Sequence, residues 1–249
     1  MKPIAKYTGG KKMPLPTAVN NPNPKPEELT VLIFGDPKSG KSTFCSNVSN
    51  ALFLDTDNAG TKFLPVFRQD CNSWEDIQNT LRELKDTQHN FKTIVLDTVS
   101  NAIRYCRQYV CKSRGFVHES DDTKGFGRLW DLTKTEFLKM TQFIRGNLGM
   151  GLWFVSHADI KMRKIDGKDR PVTAISLSNT FGELVTAMCD VICYIDNDGS
   201  QRKLRVVPQD TLEVGDRTRK LTKDICFTSE KEAYDLFVSA FNKQEEKKK

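Results

Sequence analysis

The sequence predicts an α/β domain: a mostly parallel sheet with helices on both faces and an antiparallel hairpin at one edge. Three observations carry that prediction. Short apolar runs at 31–34, 51–54, 93–96 and 151–155 alternate with segments of helical period. A glycine-rich turn follows the first run directly, and the later runs end in aspartate or histidine. Open parallel sheets gather their chemistry at the carboxyl ends of strands, so these polar endings are candidate site residues. The chain has 249 residues, enough to bury one sizeable core with extensions and too few for two full domains of ordinary size.

Taken in order, residues 1–29 hold most of the prolines and five lysines against two glutamates, without apolar periodicity. They read as a flexible basic arm, either an inert tail or a contact for a neighbouring subunit or a nucleic acid. Residues 30–228 read as the globular core, and 229–249 as a terminal helix with a charged tail. The first strand, 31–34, runs into Gly35-Asp36-Pro37-Lys38-Ser39-Gly40-Lys41-Ser42, then Thr43. This fits G-x-x-x-x-G-K-[ST], the phosphate loop of an NTPase. Its glycines let backbone N–H groups turn toward phosphate oxygens, Lys41 reaches the terminal phosphates, and the Ser42 hydroxyl is placed to ligate magnesium. A helix over 41–47 would aim its positive end at the same phosphates.

The second strand ends in Asp55-Thr56-Asp57-Asn58. Residues 73–86 open with an N-cap serine and early acids and place Ile77, Leu81 and Leu84 at helical spacing. The strand at 93–97 closes on Asp97, where a phosphate-loop enzyme needs a carboxylate to hold the magnesium shell through Ser42 or water. Residues 100–113 and 129–145 have helical period. Between them lie glycines, mixed charge, Phe116 and Phe126, without period, which suggests a mobile loop. The strand at 151–155 runs out into Ser156-His157. Beyond it residues 160–170 carry five basic side chains against two acids around Asp166-Gly167, a tight-hairpin signal. A short helix over 179–188, an edge hairpin of 191–195 with 204–207 through Asn197-Asp198-Gly199, a polar stretch at 214–220 and a helix over 230–241 complete the chain.

Composition excludes several classes. Seven cysteines, an odd number without a C-x-x-C pair, argue against a disulfide framework and a zinc site. Neither a signal-peptide core nor a membrane-length apolar run is present, so a cytoplasmic protein with no membrane partner is expected. The net charge of +6 is compatible with a polyanionic partner. A guanine-reading N-K-x-D is lacking: Asp97 leads into Thr98-Val99-Ser100, and Thr222-Lys223-Asp224 has the wrong spacing, which disfavours GTP. A small-molecule phosphotransferase, with the hairpin at 160–170 as its lid, stays open, as does an ATP-gated scaffold with little turnover.

In combination, the phosphate loop, Phe53-Leu54-Asp55-Thr56-Asp57, Ile94-Val95-Leu96-Asp97-Thr98, Phe154-Val155-Ser156-His157 and the late Val214-Gly215-Asp216-Arg217-Thr218 resemble the RecA-like P-loop ATPase core. More narrowly they resemble the RecA-like single-strand annealing proteins of bacteriophages, over about residues 30–225. The resemblance implies ATP and magnesium as cofactors, with DNA-coupled hydrolysis, assembly into a filament or ring, and annealing or strand exchange alongside a single-strand-binding protein in the bacterial cytosol. Asp57 falls where such enzymes place the carboxylate that orients the attacking water, usually glutamate, and the shorter aspartate counts against fast hydrolysis. His157 falls at the γ-phosphate sensor. The segments 112–128 and 159–178 match the two DNA-facing loops. Lys161, Arg163, Lys164, Lys168 and Arg170 can neutralise phosphates there, and Phe116 and Phe126 can stack on bases or anchor the loop. Arg217 and Arg219 are the implied candidates for a finger reaching a neighbour's ATP.

Overall fold

In a computed structural model the described residues are 15–20, 23–121, 125, 127–197 and 201–242. The core is a parallel run of six strands: β1 (Thr30–Gly35), β2 (Ala51–Asp55), β3 (Phe67–Asp70), β4 (Thr93–Asp97), β5 (Gly151–Ile165) and β7 (Val191–Asn197). They lie in the spatial order β3, β2, β4, β5, β1, β7. Beyond β7 the sheet turns antiparallel through β8 (Arg202–Arg205), followed by β10 (Ile225–Phe227). The edge hairpin expected from the sequence is therefore present. Two strands lie off this path: β6 (Lys168–Ile175) pairs with the outer half of β5, and β9 (Gly215–Asp216) pairs with the start of β7.

Alternation along the central strands splits the core in two. Leu32, Phe34, Leu54, Leu96 and Phe154 face one layer of helices: α2 (Trp74–Asp86), α3 (Val99–Ser113), α4 (Arg128–Gln142) and α5 (Asn179–Met188). Val31, Ile33, Phe53, Val95, Trp153 and Val155 face α1 (Lys41–Cys45) and α6 (Glu230–Asn242). Both faces being covered, these strands are continuously apolar in sequence rather than alternating. The helices begin where the sequence says. In α2 the Ser73 hydroxyl accepts from the Asp76 N–H at 3.1 Å, and Trp74, Ile77, Leu81 and Leu84 form its buried stripe.

The structure corrects three expectations and adds one strand that the sequence did not announce. The helix after the phosphate loop ends at Cys45 rather than 47. Residues 159–178, matched above to a DNA-facing loop, are mostly the outward half of β5 paired antiparallel with β6 from Ala158↔Ile175 to Ile165↔Lys168, which is the tight hairpin expected around Asp166-Gly167. The polar stretch at 214–220 contains β9, and residues 67–70 form β3. Phe67-Arg68-Gln69-Asp70 is an edge strand without a buried face, so it carries no apolar signal. All seven cysteines are free thiols, and six are buried, leaving Cys226 exposed.

Candidate nucleotide site

The parallel register brings the carboxyl ends of β1, β4 and β2 to one edge of the central sheet, beside His157 midway along β5. Gly35 stands opposite His157, Asp97 opposite Val155, and Asp55 opposite Asp97. The phosphate loop closes over this edge. A Cβ at Gly35 would come within 2.8 Å of the Ile195 carbonyl and of Ser39 Oγ, so the loop can leave the strand this tightly only without a side chain there. Together with Lys38, Lys41, Ser42, Thr43, Asp57, Asp97 and His157 the loop lines a cleft of about 650 Å³, within the size range of small-ligand sites.

Lys41 is buried. Its ammonium donates to the Gly35 carbonyl at 3.0 Å and the Asp36 carbonyl at 2.7 Å. Burial lowers its pKa, opposed by the charges of Asp97 and Asp36. The Ser42 hydroxyl donates to Asp97 Oδ2 at 2.6 Å. Burial pushes Asp97 up to about 6; the Ser42 hydrogen bond pulls the other way, and the Asp55 and Asp57 charges add to the rise. The two side chains expected from the sequence to hold magnesium are thus in contact with each other. Two buried polar atoms, Ser39 Oγ within the loop and His157 Nδ1 on β5 at the cleft, have no hydrogen-bond partner among the described residues. A phosphate group and a magnesium ion fit this set: Ser42 and Asp97 would hold the metal, while Lys41 and the loop amides would hold phosphate.

Asp57 is exposed at the cleft, where Asn101 Nδ2 donates to its Oδ1 at 3.0 Å. His157 is half-buried, and its pKa is lowered by burial and by Lys41, with Asp57 opposing. Sequence reasoning saw Asp55 only as one of a group of acids. In the structure it is the buried hub of the turn, accepting from the N–H groups of Asp57 at 3.0 Å and Asn58 at 2.8 Å and from the Thr61 hydroxyl, with Arg68 at 3.6 Å. Phe63, 81% exposed on the short 3₁₀ turn Gly60–Phe63, sits at the rim of the cleft and was also missed. A lone exposed aromatic in an otherwise unpatterned stretch was its only sequence signal.

The proposed DNA residues separate. Lys164 and Lys168 are exposed near the tip of the β5–β6 hairpin. Arg163 pairs with Glu213 at 2.8 Å, and Arg170 lies 3.9 Å from Asp166 and 4.0 Å from Asp210. Lys161 turns inward and donates to the Leu177 carbonyl at 2.6 Å, its pKa lowered chiefly by burial. Phe116 packs on Val110, Cys111 and Leu129, which is the anchoring arrangement. Phe126 lies outside the described residues. Arg217 and Arg219 are both exposed and are not brought to this chain's cleft. They follow β9, which pairs with Val191 and Ile192 at the amino end of β7, whereas the phosphate loop stands at the carboxyl end beside Ile195. Arg217 donates to the Ala187 carbonyl at 3.1 Å and faces Asp190 at 3.8 Å.

A glycine-rich loop between a central parallel strand and a helix, with lysine, hydroxyl and strand-end carboxylate converging, defines a P-loop NTPase fold. Residues 27–218 match the AAA domain family, and the chain belongs to it. No curated protein matches the chain. Among the described residues no helix is long and apolar enough to cross a membrane.

Proposed function

We propose that this chain is an ATP-binding, single-stranded-DNA-binding recombination protein. It would assemble on DNA with further copies of itself and promote annealing or strand exchange in a host cytosol, with a single-strand-binding protein as partner. The observation that supports this most is the continuity of β5. One strand of fifteen residues carries His157 at the nucleotide cleft and then, without a break, the basic hairpin ending in Lys164. The Ser176 N–H donates to the His157 carbonyl at 2.8 Å, so the residue at the cleft is also the root of the arm.

In this reading Lys41 and the loop amides bind and orient the phosphates, and Asp57, held by Asn101, orients water toward the γ-phosphate. His157 responds to that phosphate and biases the hairpin. Magnesium, when bound, neutralises phosphate charge. The site's own lining holds lysines but no arginine, which fits a basic residue arriving from a neighbouring copy.

The test is fluorescence anisotropy with labelled oligonucleotides of unrelated sequence, in ATP and magnesium, across a salt series. Binding that weakens linearly in log–log salt is expected, because released counterions drive it. Replacing both Lys164 and Lys168 with alanine should reduce the slope by about 1.4, roughly 0.7 for each single-strand phosphate no longer neutralised. Absence of binding at low salt overturns the DNA reading, and assembly with ATP but without DNA would favour the scaffold instead.

A further inference from the structure

The phosphate loop is held by an arginine of the edge strand, which residues beyond the family match hold in place in turn. Arg202, the first residue of β8, uses one nitrogen twice: Nη2 donates to the Ser39 carbonyl at 2.8 Å and to Glu230 Oε1 at 2.7 Å. Its Nε donates to Asn197 Oδ1 at 2.9 Å, and its guanidinium lies over the Phe227 ring, 4.8 Å from the centroid. Phe227 and Glu230 both follow residue 218, where the family match ends. Gly40 packs against the same pair. It has φ of 95°, and a Cβ there would run into Glu230 Oε1 and Arg202 Nη2.

We propose that Arg202 is a positioning residue for phosphate binding: by fixing the Ser39 carbonyl outward it fixes the Gly40 N–H inward, toward the phosphate. The reason is peptide geometry. In a planar trans peptide the C=O of one residue and the N–H of the next point in opposite directions. A phosphate loop works through inward N–H groups, so its carbonyls must be satisfied on the outside. Arg202 supplies that outside donor at the Ser39–Gly40 unit, and Glu230, the first residue of α6, holds the guanidinium in place. Burial pulls the Glu230 carboxyl up, but its hydrogen bonds, including the one from Arg202, outweigh this and leave it below the ordinary value. Because binding and positioning are linked, a bound nucleotide also favours the docked C-terminal helix. The strands β8 and β10 and helix α6 are thereby tied to the nucleotide site, and Glu230 itself lies in the lining of the cleft.

This inference rests on the nucleotide reading of the cleft, and the experiment separates the two. Magnesium-ADP and pyrophosphate affinities are measured by calorimetry for the wild type, Arg202→Met and Arg202→Met/Glu230→Gln, with the thermal midpoint of each without ligand. Methionine keeps the stem over Phe227 and removes the donors. Both ligands should bind about tenfold more weakly to Arg202→Met, the worth of one charge-assisted hydrogen bond, and the double variant should stay weak. A purely structural role would move the thermal midpoint and leave the affinity of the folded protein unchanged, overturning the proposal. Recovery of wild-type affinity in the double variant would also overturn it, since Arg202 would then only mask the Glu230 charge. If Arg202→Met does not fold, Arg202→Lys carries the test: a single ammonium on a shorter stem cannot reproduce the fork, several-fold weaker binding is expected, and wild-type affinity overturns the proposal. A wild type that binds neither ligand overturns the nucleotide reading and this inference together.

Discussion

Replacing Lys41 with alanine should weaken ATP and ADP binding by roughly a hundredfold, about 3 kcal/mol, measured by calorimetry in the presence of magnesium. Lys41 is the buried ammonium at the centre of the loop, and the two carbonyls it now engages belong to the loop itself. When phosphate enters, the charge has a stronger partner within reach, and alanine offers none. The fold should hardly notice. Burial already disfavours the charged amine there, so removing it deletes a desolvation cost along with two hydrogen bonds. The thermal midpoint without ligand should move by only a few degrees, on the order of 1 kcal/mol. Unchanged ADP affinity in a folded Lys41→Ala protein would remove the phosphate-loop assignment.

The largest expected loss of stability is at Phe237. The ring is fully buried in α6 and packs edge-on against Phe44 at 5.9 Å and Trp153 at 5.8 Å, with Phe241 at 5.3 Å. Truncation to alanine leaves a cavity between α6 and the sheet, and urea denaturation should show about 3–5 kcal/mol of destabilisation. Phe44 belongs to α1, the short helix that also carries Ser42. The aromatic cluster therefore supports the helix that carries Ser42. A cost below about 1 kcal/mol would mean that α6 is not part of the cooperative core.

Much of this was legible from residues alone. The phosphate loop, the strand-end carboxylates and His157 are local patterns, and the strand register then delivers them to one cleft. The edge hairpin and the N-cap of α2 were equally local. What could not be read depends on pairings across long separations. Arg202 meets Ser39 from 163 positions away and Glu230 from 28, and no period or motif announces either. Counting charges on the hairpin gave the right total but not the right availability, because Glu213 and the Leu177 carbonyl take up Arg163 and Lys161. Strand β3 was invisible because its side chains are not buried, and β9 because two residues are too short to show a pattern.

The thiol inventory has a practical side. Burial pushes Cys71 up to about 12 and raises Cys45, Cys106, Cys189 and Cys193 as well, so these sulfurs hold little of the nucleophilic thiolate at neutral pH. Cys111 is shielded by burial. Only Cys226 is open, and it precedes Phe227, the ring under Arg202. A maleimide dye should attach once per native chain, countable by mass spectrometry, and up to seven times after denaturation. The molecule thus comes with its own attachment point for an optical reporter, one residue from the stack behind the phosphate loop.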